Sequence, residues 1–171
     1  MMEIKLTQEK TTLVDDILYD YLSQWKWQAM KHHDQGSYYV GRRRLISETN
    51  RPTTIKLHRV IWEQKTNKEI PHELEIDHID GNPLNNTISN LRLSTHQENC
   101  SNVKKQLHVS SIYKGVTWYK RGNNWTAQIR VNDKKIHLGY FENELDAAKK
   151  YDEAATLHFG KFARLNFGGT K

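Results

Sequence analysis

The segment from residue 75 to residue 99 constrains the fold of this chain more than any other segment. An alternation of apolar and polar residues ends at Asp77 and His78, as at the end of a short strand. Asn90 precedes a second short alternation, and Asn99 falls on a predicted helix beyond it. A hairpin followed by a helix would bring one carboxylate, one imidazole and two amides into a single cleft.

These four side chains suit the hydrolysis of a phosphodiester. A hard cation such as Mg²⁺ prefers oxygen ligands, which Asp77 and the side-chain carbonyl of Asn99 would supply, leaving positions for phosphate and water. A neutral His78 can take the proton from an attacking water near neutral pH. The amide of Asn90 can hold that imidazole in one tautomer, a task that backbone carbonyls also perform.

At these positions the sequence resembles the HNH nucleases, specifically the ββα-metal homing endonucleases of phages and introns. The matching segments are Asp77-His78, Asp80-Gly81-Asn82, Asn90-Leu91 and Asn99, preceded by Leu57-His58-Arg59-Val60 and Trp62. The resemblance implies that His78 is the general base and that Asn90 orients it. It also implies that Asp77 and Asn99 bind the metal. Since the last position is Asn rather than His, the His-Asn-Asn subgroup is indicated, with one Mg²⁺ or Mn²⁺ ion per active site.

Composition favours a polyanionic partner. Lys and Arg number 26 against 20 Asp and Glu, for a net charge of +6 and a pI near 9.3. The single Cys100 excludes an internal disulfide framework and a Cys-rich zinc site, so a cytoplasmic protein is expected. No run of eighteen apolar residues and no signal pattern occurs, so no membrane partner is expected.

The N-terminal region reads as a mixture of short strands and helices. The predicted elements are a strand over 4–12, a helix over 17–22, strands over 25–29 and 37–43 around a polar turn, a strand over 52–57 and a helix over 58–64. His32 and His33 in the polar turn form a possible metal site, although adjacent histidines in such turns are usually solvated. The basic run of Arg42, Arg43 and Arg44 is either a solvated strand end or a phosphate clamp, and its nearness to the predicted nuclease core favours the clamp.

A polar linker is predicted over 103–111, where Lys104 and Lys105 can neutralise phosphates. Beyond it, three strands separated by turns at 120–124 and 132–135 precede a helix that Asn143 caps and Gly160 ends. The strands are basic and the helix carries most of the acids, so the sheet is expected to face nucleic acid.

This half resembles the Apetala/ethylene-response-factor (ERF) DNA-binding domain of plant transcription factors. The matching segments are Tyr113-Lys114-Gly115-Val116, Trp125, Ala127-Gln128-Ile129-Arg130, His137-Leu138-Gly139, Phe141, Ala147-Ala148, Tyr151-Asp152, Ala154-Ala155 and Leu165-Asn166-Phe167. The resemblance implies that DNA is contacted by Lys114, Gln128, Arg130 and His137. Thr117 and Tyr119 stand where plant members carry arginines, so the plant target does not transfer. The further expected contacts are Thr117, Trp118, Tyr119, Lys120 and Arg121.

The sequence therefore predicts an α+β chain with four segments. These are an N-terminal strand and helix region over 1–54, a ββα-metal nuclease core over 55–102, the linker over 103–111 and a three-stranded antiparallel sheet backed by one helix over 112–171. The predicted function is a homing-type endonuclease acting on double-stranded DNA in a bacterial host, encoded by a phage or mobile element. The alternative is a sequence-specific regulator with an inert nuclease fold. Nicking and double-strand cleavage, and monomer and homodimer, stay open.

Overall fold

The computed structural model describes residues 1–31, 37–46, 51–103 and 110–168. Within them lie four helices and several small antiparallel sheets, which confirms the predicted mixture of helices and strands. The chain divides into two compact units, Met1–Ser94 and Thr95–Lys171. The predicted domain boundaries stay predictions, because compact units do not by themselves define functional domains. The paired histidines 32 and 33 and the basic pair 104 and 105 lie outside the described residues.

The first unit contains three small sheets and two helices. In chain order its elements are β1 (Met2–Lys5), β2 (Thr11–Val14), α1 (Asp16–Leu22), β3 (Gln28–Lys31), β4 (Tyr38–Leu45), β5 (Pro52–Lys56), α2 (Leu57–Thr66), β6 (Glu75–His78), a 3-10 turn (Ile88–Asn90) and β7 (Leu91–Ser94). Strand β1 pairs with β2, β4 lies between β3 and β5, and β6 pairs with β7. All of these pairings are antiparallel.

Two predicted strands of this unit differ from the structure. The strand expected over 4–12 is a hairpin, because Gln8 and Glu9 adopt left-handed backbone angles and turn the chain back. The strand expected over 25–29 begins only at Gln28, because the backbone before it still turns out of α1: the amide of Trp25 donates to the carbonyl of Leu22 at 3.3 Å. The buried indole Nε1 of Trp27 donates to the same carbonyl at 2.9 Å.

One apolar core joins the elements of the first unit. Its buried members are Ile4, Val14, Leu22, Trp27, Val40, Leu57, Ile61, Ile70, Ile76 and Leu91. The core includes one residue from each strand of the β6–β7 hairpin and two from α2. Burial of about 25 cal/mol per Å² of apolar surface therefore fixes the hairpin to the rest of the unit.

The long loop between β6 and β7 is fastened to β2 by backbone hydrogen bonds. The amide of Leu13 donates to the carbonyl of Leu84, and the amide of Asn86 donates to the carbonyl of Leu13. Both bonds are 2.9 Å long. The amide of Ile88 also donates to the carboxylate of Asp15 at 2.7 Å. The N-terminal hairpin thus determines the shape of the loop that follows His78.

The second unit is a three-stranded antiparallel sheet with one long helix, as its sequence pattern predicts. Its elements are α3 (His96–Ser101), β8 (Val116–Tyr119), β9 (Asn124–Val131), β10 (Lys134–Phe141), α4 (Glu144–Phe159) and a 3-10 turn (Gly160–Phe162). Strand β9 is central. Small buried residues on α4, Ala147, Ala148 and Ala155, let the helix lie close to the sheet.

Gly115 shows how closely this helix approaches the start of β8. Its φ is +75°, and a Cβ atom built there would lie 2.0 Å from the Tyr151 ring, so no larger residue fits. The amide of Gln128 donates to the carbonyl of Gly115 at 2.8 Å, which continues the β8–β9 pairing past Val116. The glycine therefore allows strand, helix and β9 to meet at one place.

Candidate functional site

The β6–β7 hairpin holds Asp77 in a buried position opposite Arg92. The two residues are register partners, and Asp77 is only 4% exposed. The guanidinium Nε and Nη2 of Arg92 both lie close to Asp77 Oδ2, at 2.8 and 2.7 Å. Such a pair of charge-assisted contacts compensates the charge of a buried carboxylate. Arg92 was not among the predicted site residues, and its place across the hairpin is the signal that identifies it.

His78 follows at the end of β6 and lies against a second histidine. Its ring is 5.3 Å from that of His58 on α2, at an angle of 81°. Burial lowers the pKa of His78, and the opposing effects of the Asn86 hydrogen bond and of nearby Asp80 and Asp77 do not cancel it. Burial, together with His78, Lys56 and Arg59, lowers the pKa of His58 to about 3. Both rings are therefore neutral at pH 7.

Asn86 provides the side-chain amide next to His78. It is fully buried, and its Oδ1 lies 3.2 Å from His78 Nε2. Its Nδ2 donates to Thr12 Oγ1 at 2.8 Å and to the carbonyl of Pro83 at 3.0 Å. Because a carbonyl only accepts hydrogen bonds, this atom must be the amide nitrogen, and Oδ1 must face His78. The neutral imidazole is then protonated at Nε2 and carries its lone pair on Nδ1.

Asn90 occupies a different place from the one its sequence position predicts. The amide expected beside His78 instead donates from Nδ2 to Asp80 Oδ1 at 3.0 Å and to the carbonyl of Asn85 at 2.8 Å. Its Oδ1 accepts the Asp80 amide at 3.0 Å. Its backbone carbonyl accepts the amide of Ile79 at 2.8 Å. The side chain of Asn90 thus ties together the two ends of the loop that follows His78.

Asp80 is the acceptor at the centre of this loop. Burial works to raise its pKa, but hydrogen bonds from the backbone of Asn82 and the side chains of Asn85 and Asn90 outweigh burial and lower it. The distances to these three donors are 2.7, 2.8 and 3.0 Å. The Asn-rich loop therefore stabilises an ionised carboxylate two residues beyond His78.

The predicted metal ligands Asp77 and Asn99 belong to different compact units. Asn99 is half-buried on α3, a helix that begins two residues after β7 and opens with a capping box between Thr95 and Glu98. In the described part of the chain no three His, Cys, Asp or Glu side chains cluster as a metal site would require. Carboxylate and amide oxygens are nevertheless the kind of hard donor that Mg²⁺ and Mn²⁺ prefer.

The sheet of the second unit has one face turned away from α4. Strand alternation and register place on it Thr117 and Tyr119 of β8, Thr126, Gln128 and Arg130 of β9, and Lys135, His137 and Tyr140 of β10. The rings of Tyr119 and Tyr140 are 5.3 Å apart, and those of Tyr140 and His137 are 4.6 Å apart. Of the predicted DNA contacts, this face brings together Thr117, Tyr119, Gln128, Arg130 and His137. Tyr140 was not among the predicted DNA contacts. Its place opposite Thr126 in the strand register identifies it as a member of this face.

Four predicted DNA contacts lie elsewhere in the second unit. Trp118 is on the α4 side of the sheet, where its ring meets that of Trp125 at 5.0 Å. Lys114 is half-buried and its Nζ donates to the carbonyl of Ser101. Burial lowers its pKa to about 8, helped by Arg164 and opposed by Cys100. Lys120 and Arg121 are exposed in the turn between β8 and β9.

In the basic run on β4, one arginine packs against aromatic rings and the other two are exposed. The guanidinium of Arg42 lies over the ring of Trp25 at 4.6 Å and over that of Trp27 at 5.7 Å. These cation–π contacts explain why Arg42 is half-buried. Arg43 and Arg44 are exposed, so they are the members of the run that remain suited to phosphate.

Comparison with known proteins links the chain to two groups of proteins. A family model described as HNH endonuclease matches residues 56–100. An uncharacterized HNH endonuclease of Acanthamoeba polyphaga mimivirus is 34% identical over 145 residues, which is 85% of this chain and 68% of that protein. Protein 3.8 of Escherichia phage T7 is 36% identical over 108 residues, or 63% of this chain and 88% of that protein.

Plant proteins match this chain over a shorter length. An AP2-like ethylene-responsive transcription factor of Arabidopsis thaliana is 41% identical over 58 residues, which is 34% of this chain and 12% of that protein. The match is therefore to one small part of a much longer protein. Among the described residues no helix has the length and apolar character needed to cross a membrane.

Proposed function

Because the chain belongs to the HNH endonuclease family, we propose that it is a homing-type endonuclease that cuts duplex DNA at chosen sites. The observation that carries this proposal is the pair of Asp77 and His78 at the end of β6, one a buried carboxylate and the other a neutral imidazole. The match to protein 3.8 of a phage supports a phage or mobile-element origin and action inside a bacterial host.

In the proposed reaction His78 acts as the general base. Its unprotonated nitrogen takes a proton from water, and the water oxygen forms a bond to phosphorus as the P–O3′ bond breaks. The departing O3′ takes a proton from solvent water, and His78 later returns its proton to solvent. The products are a 3′-hydroxyl and a 5′-phosphate, as the family resemblance implies. Asn86 keeps the ring in one tautomer, so the accepting nitrogen is fixed before the substrate arrives.

Asp77 and Asn99 are proposed to hold one divalent ion. When bound, Mg²⁺ or Mn²⁺ supplies positive charge to the phosphate and to the leaving oxygen. The guanidinium of Arg92 holds the carboxylate of Asp77 in place from across the hairpin. Asn90 holds the loop that carries Asp80, and so supports His78 from the other side.

The sheet face of the second unit is proposed to bind the DNA. It combines the cations Arg130 and Lys135 with hydrogen-bonding groups on Gln128 and His137, and its row of rings can pack against sugars or bases. The match to a plant protein whose name includes transcription factor supports this assignment. Arg43, Arg44, Lys104, Lys105, Lys120 and Arg121 are proposed as phosphate contacts.

Cleavage of supercoiled plasmid with and without Mg²⁺ or Mn²⁺ tests the proposed activity. We expect metal-dependent conversion to open circles, because one such site in each chain cuts one strand. Direct appearance of linear plasmid would indicate two sites acting together in a dimer. Firm binding of varied phage and host DNA without any cleavage would instead support the inert regulator.

Arg130→Ala is expected to weaken DNA binding by about 1–3 kcal/mol, the usual cost of losing one strong contact to a base or phosphate. The matched control is Lys149→Ala, which removes one exposed cation from α4 on the other side of the sheet. Competition between a cleaved duplex and bulk DNA measures both affinity and site choice. Equal affinity and equal site choice in Arg130→Ala and Lys149→Ala would show that this face does not contact DNA.

A further inference from the structure

Helix α3 carries Asn99 but has no large apolar side chain of its own with which to pack. Its six residues are His96, Gln97, Glu98, Asn99, Cys100 and Ser101. A helix of this length is unstable in isolation, because nucleation costs more than so few hydrogen bonds return. The capping box satisfies its first turn, so its last turn is where the rest of the unit must hold it.

The last turn of α3 is held by two polar residues. Ser101 is buried, and its Oγ lies 2.7 Å from the carbonyl oxygen of Glu98 and 2.8 Å from that of Phe162, so its single proton is shared between the two carbonyls. The Nζ of Lys114 donates to the carbonyl of Ser101 itself. A cation at the C-terminal end of a helix satisfies a carbonyl that lacks an intrahelical donor and also interacts favourably with the helix dipole.

The backbone of Lys114 is held in place by the rest of the second unit. Lys114 precedes Gly115 and β8, and its own backbone is fixed by Asn166, which accepts the Lys114 amide at 2.6 Å and donates to the Lys114 carbonyl at 3.2 Å. Asn166 is in turn held by the buried carboxylate of Asp152 on α4. One chain of contacts therefore connects α4, the start of β8 and the last turn of α3.

An open groove lies between α3 and the sheet beside this connection. Its lining includes His96, Gln97 and Cys100 of α3 together with Gln128, Arg130 and Lys135 of the sheet. Gln128 and Arg130 also belong to the face proposed to bind DNA. The groove therefore shares residues both with the helix that carries Asn99 and with the face proposed to bind DNA.

We propose that Lys114 and Ser101 are positioning residues that hold α3 rigidly to the DNA-binding sheet, so that binding of DNA to the sheet fixes where Asn99 meets the phosphate backbone. This inference rests on the proposed nuclease function. It assigns to Lys114 a role inside the protein, in place of the DNA contact that the plant resemblance implies. The second unit then fixes the position of Asn99 relative to the bases that the sheet recognises.

The test compares full-length Lys114→Met with Lys149→Met, which removes one exposed cation from α4 and matches the loss of charge. The first measurement is hydrogen exchange of the α3 amides in protein without metal or DNA. We expect exchange in α3 to be about tenfold faster in Lys114→Met, since a typical hydrogen bond is lost, with α4 unchanged. Unchanged exchange in α3 would overturn the proposal even if the protein proves not to be a nuclease.

The second measurement uses a plasmid that the wild type nicks, with the cut phosphate mapped by primer extension. We expect Lys114→Met to bind a duplex centred on that phosphate as Lys149→Met does, yet to cut at several neighbouring phosphates and at least fivefold more slowly. Weaker binding with a single unchanged cut position would make Lys114 a DNA contact and overturn the proposal. Absence of cleavage by the wild type itself would refute the proposed nuclease function. The hydrogen-exchange result would then decide by itself whether Lys114 holds α3.

Ser101→Ala provides an independent variant in case Lys114→Met fails to fold. It removes the hydroxyl that joins α3 to Phe162 but changes no charge. Faster exchange in α3 and a broadened set of cut positions are expected here as well. Wild-type values for both measurements in Ser101→Ala would contradict the proposal.

Discussion

Replacing His78 with alanine is expected to slow DNA cleavage by about 10²- to 10⁴-fold, the usual contribution of a positioned general base. DNA affinity should stay within about twofold of wild type, because His78 lies in the first unit and the proposed DNA-binding sheet in the second. Single-turnover nicking of a supercoiled plasmid measures the rate, and binding without metal measures the affinity.

The matched control for this variant is His72→Ala. His72 is an exposed histidine of the same unit, six residues before His78 and outside the β6–β7 hairpin. We expect it to cleave at the wild-type rate. Surviving cleavage in His78→Ala, or equal losses in the two variants, would contradict the assignment of the base. A parallel loss of affinity in His78→Ala would indicate a binding role instead.

The hairpin at the centre of the site was predictable because its signal is local. Period-two alternation up to His78 and again from Leu91 predicts two strands, and the Asn-rich segment between them predicts a loop. The side chain that contacts His78 was not predictable in the same way. Asn86 owes its position to Thr12 and Leu13, more than seventy residues earlier in the chain, and no short-range pattern records such a pairing.

The second unit shows the same division between local and long-range information. Its three strands and helix follow from the alternation and the Asn143 cap, and strand parity alone would have placed Trp118 beside Trp125 on the helix side. Lys114 differs, because its place before Gly115 suggests exposure. Only the fold brings the last turn of α3 to its ammonium group.

Arg92→Met is expected to have the largest effect on stability. It removes the guanidinium from a carboxylate that is 4% exposed, and breaking a buried ion pair in this way costs about 3–5 kcal/mol. Urea unfolding measures the free energy. The matched control is Arg43→Met on β4, where the side chain is exposed and a change below about 0.5 kcal/mol is expected.

A double variant separates the ion pair from simple packing. If charge burial causes the loss, Asp77→Asn should restore part of the stability of Arg92→Met, because the amide carries no charge to compensate. Equal losses in the single and double variants would assign the cost to packing of the arginine stem instead.

The same variants test whether Asp77 binds a metal ion. A ligand that binds only the folded state stabilises it in proportion to the logarithm of its concentration. Mg²⁺ should therefore stabilise Arg92→Met more than wild type, since the ion can take over the charge compensation that the guanidinium provided. Asp77→Asn lacks the charged ligand, and its unfolding should respond least to added Mg²⁺. Identical responses in all three proteins would remove Asp77 from the proposed metal site and leave the buried ion pair as a structural feature of the hairpin.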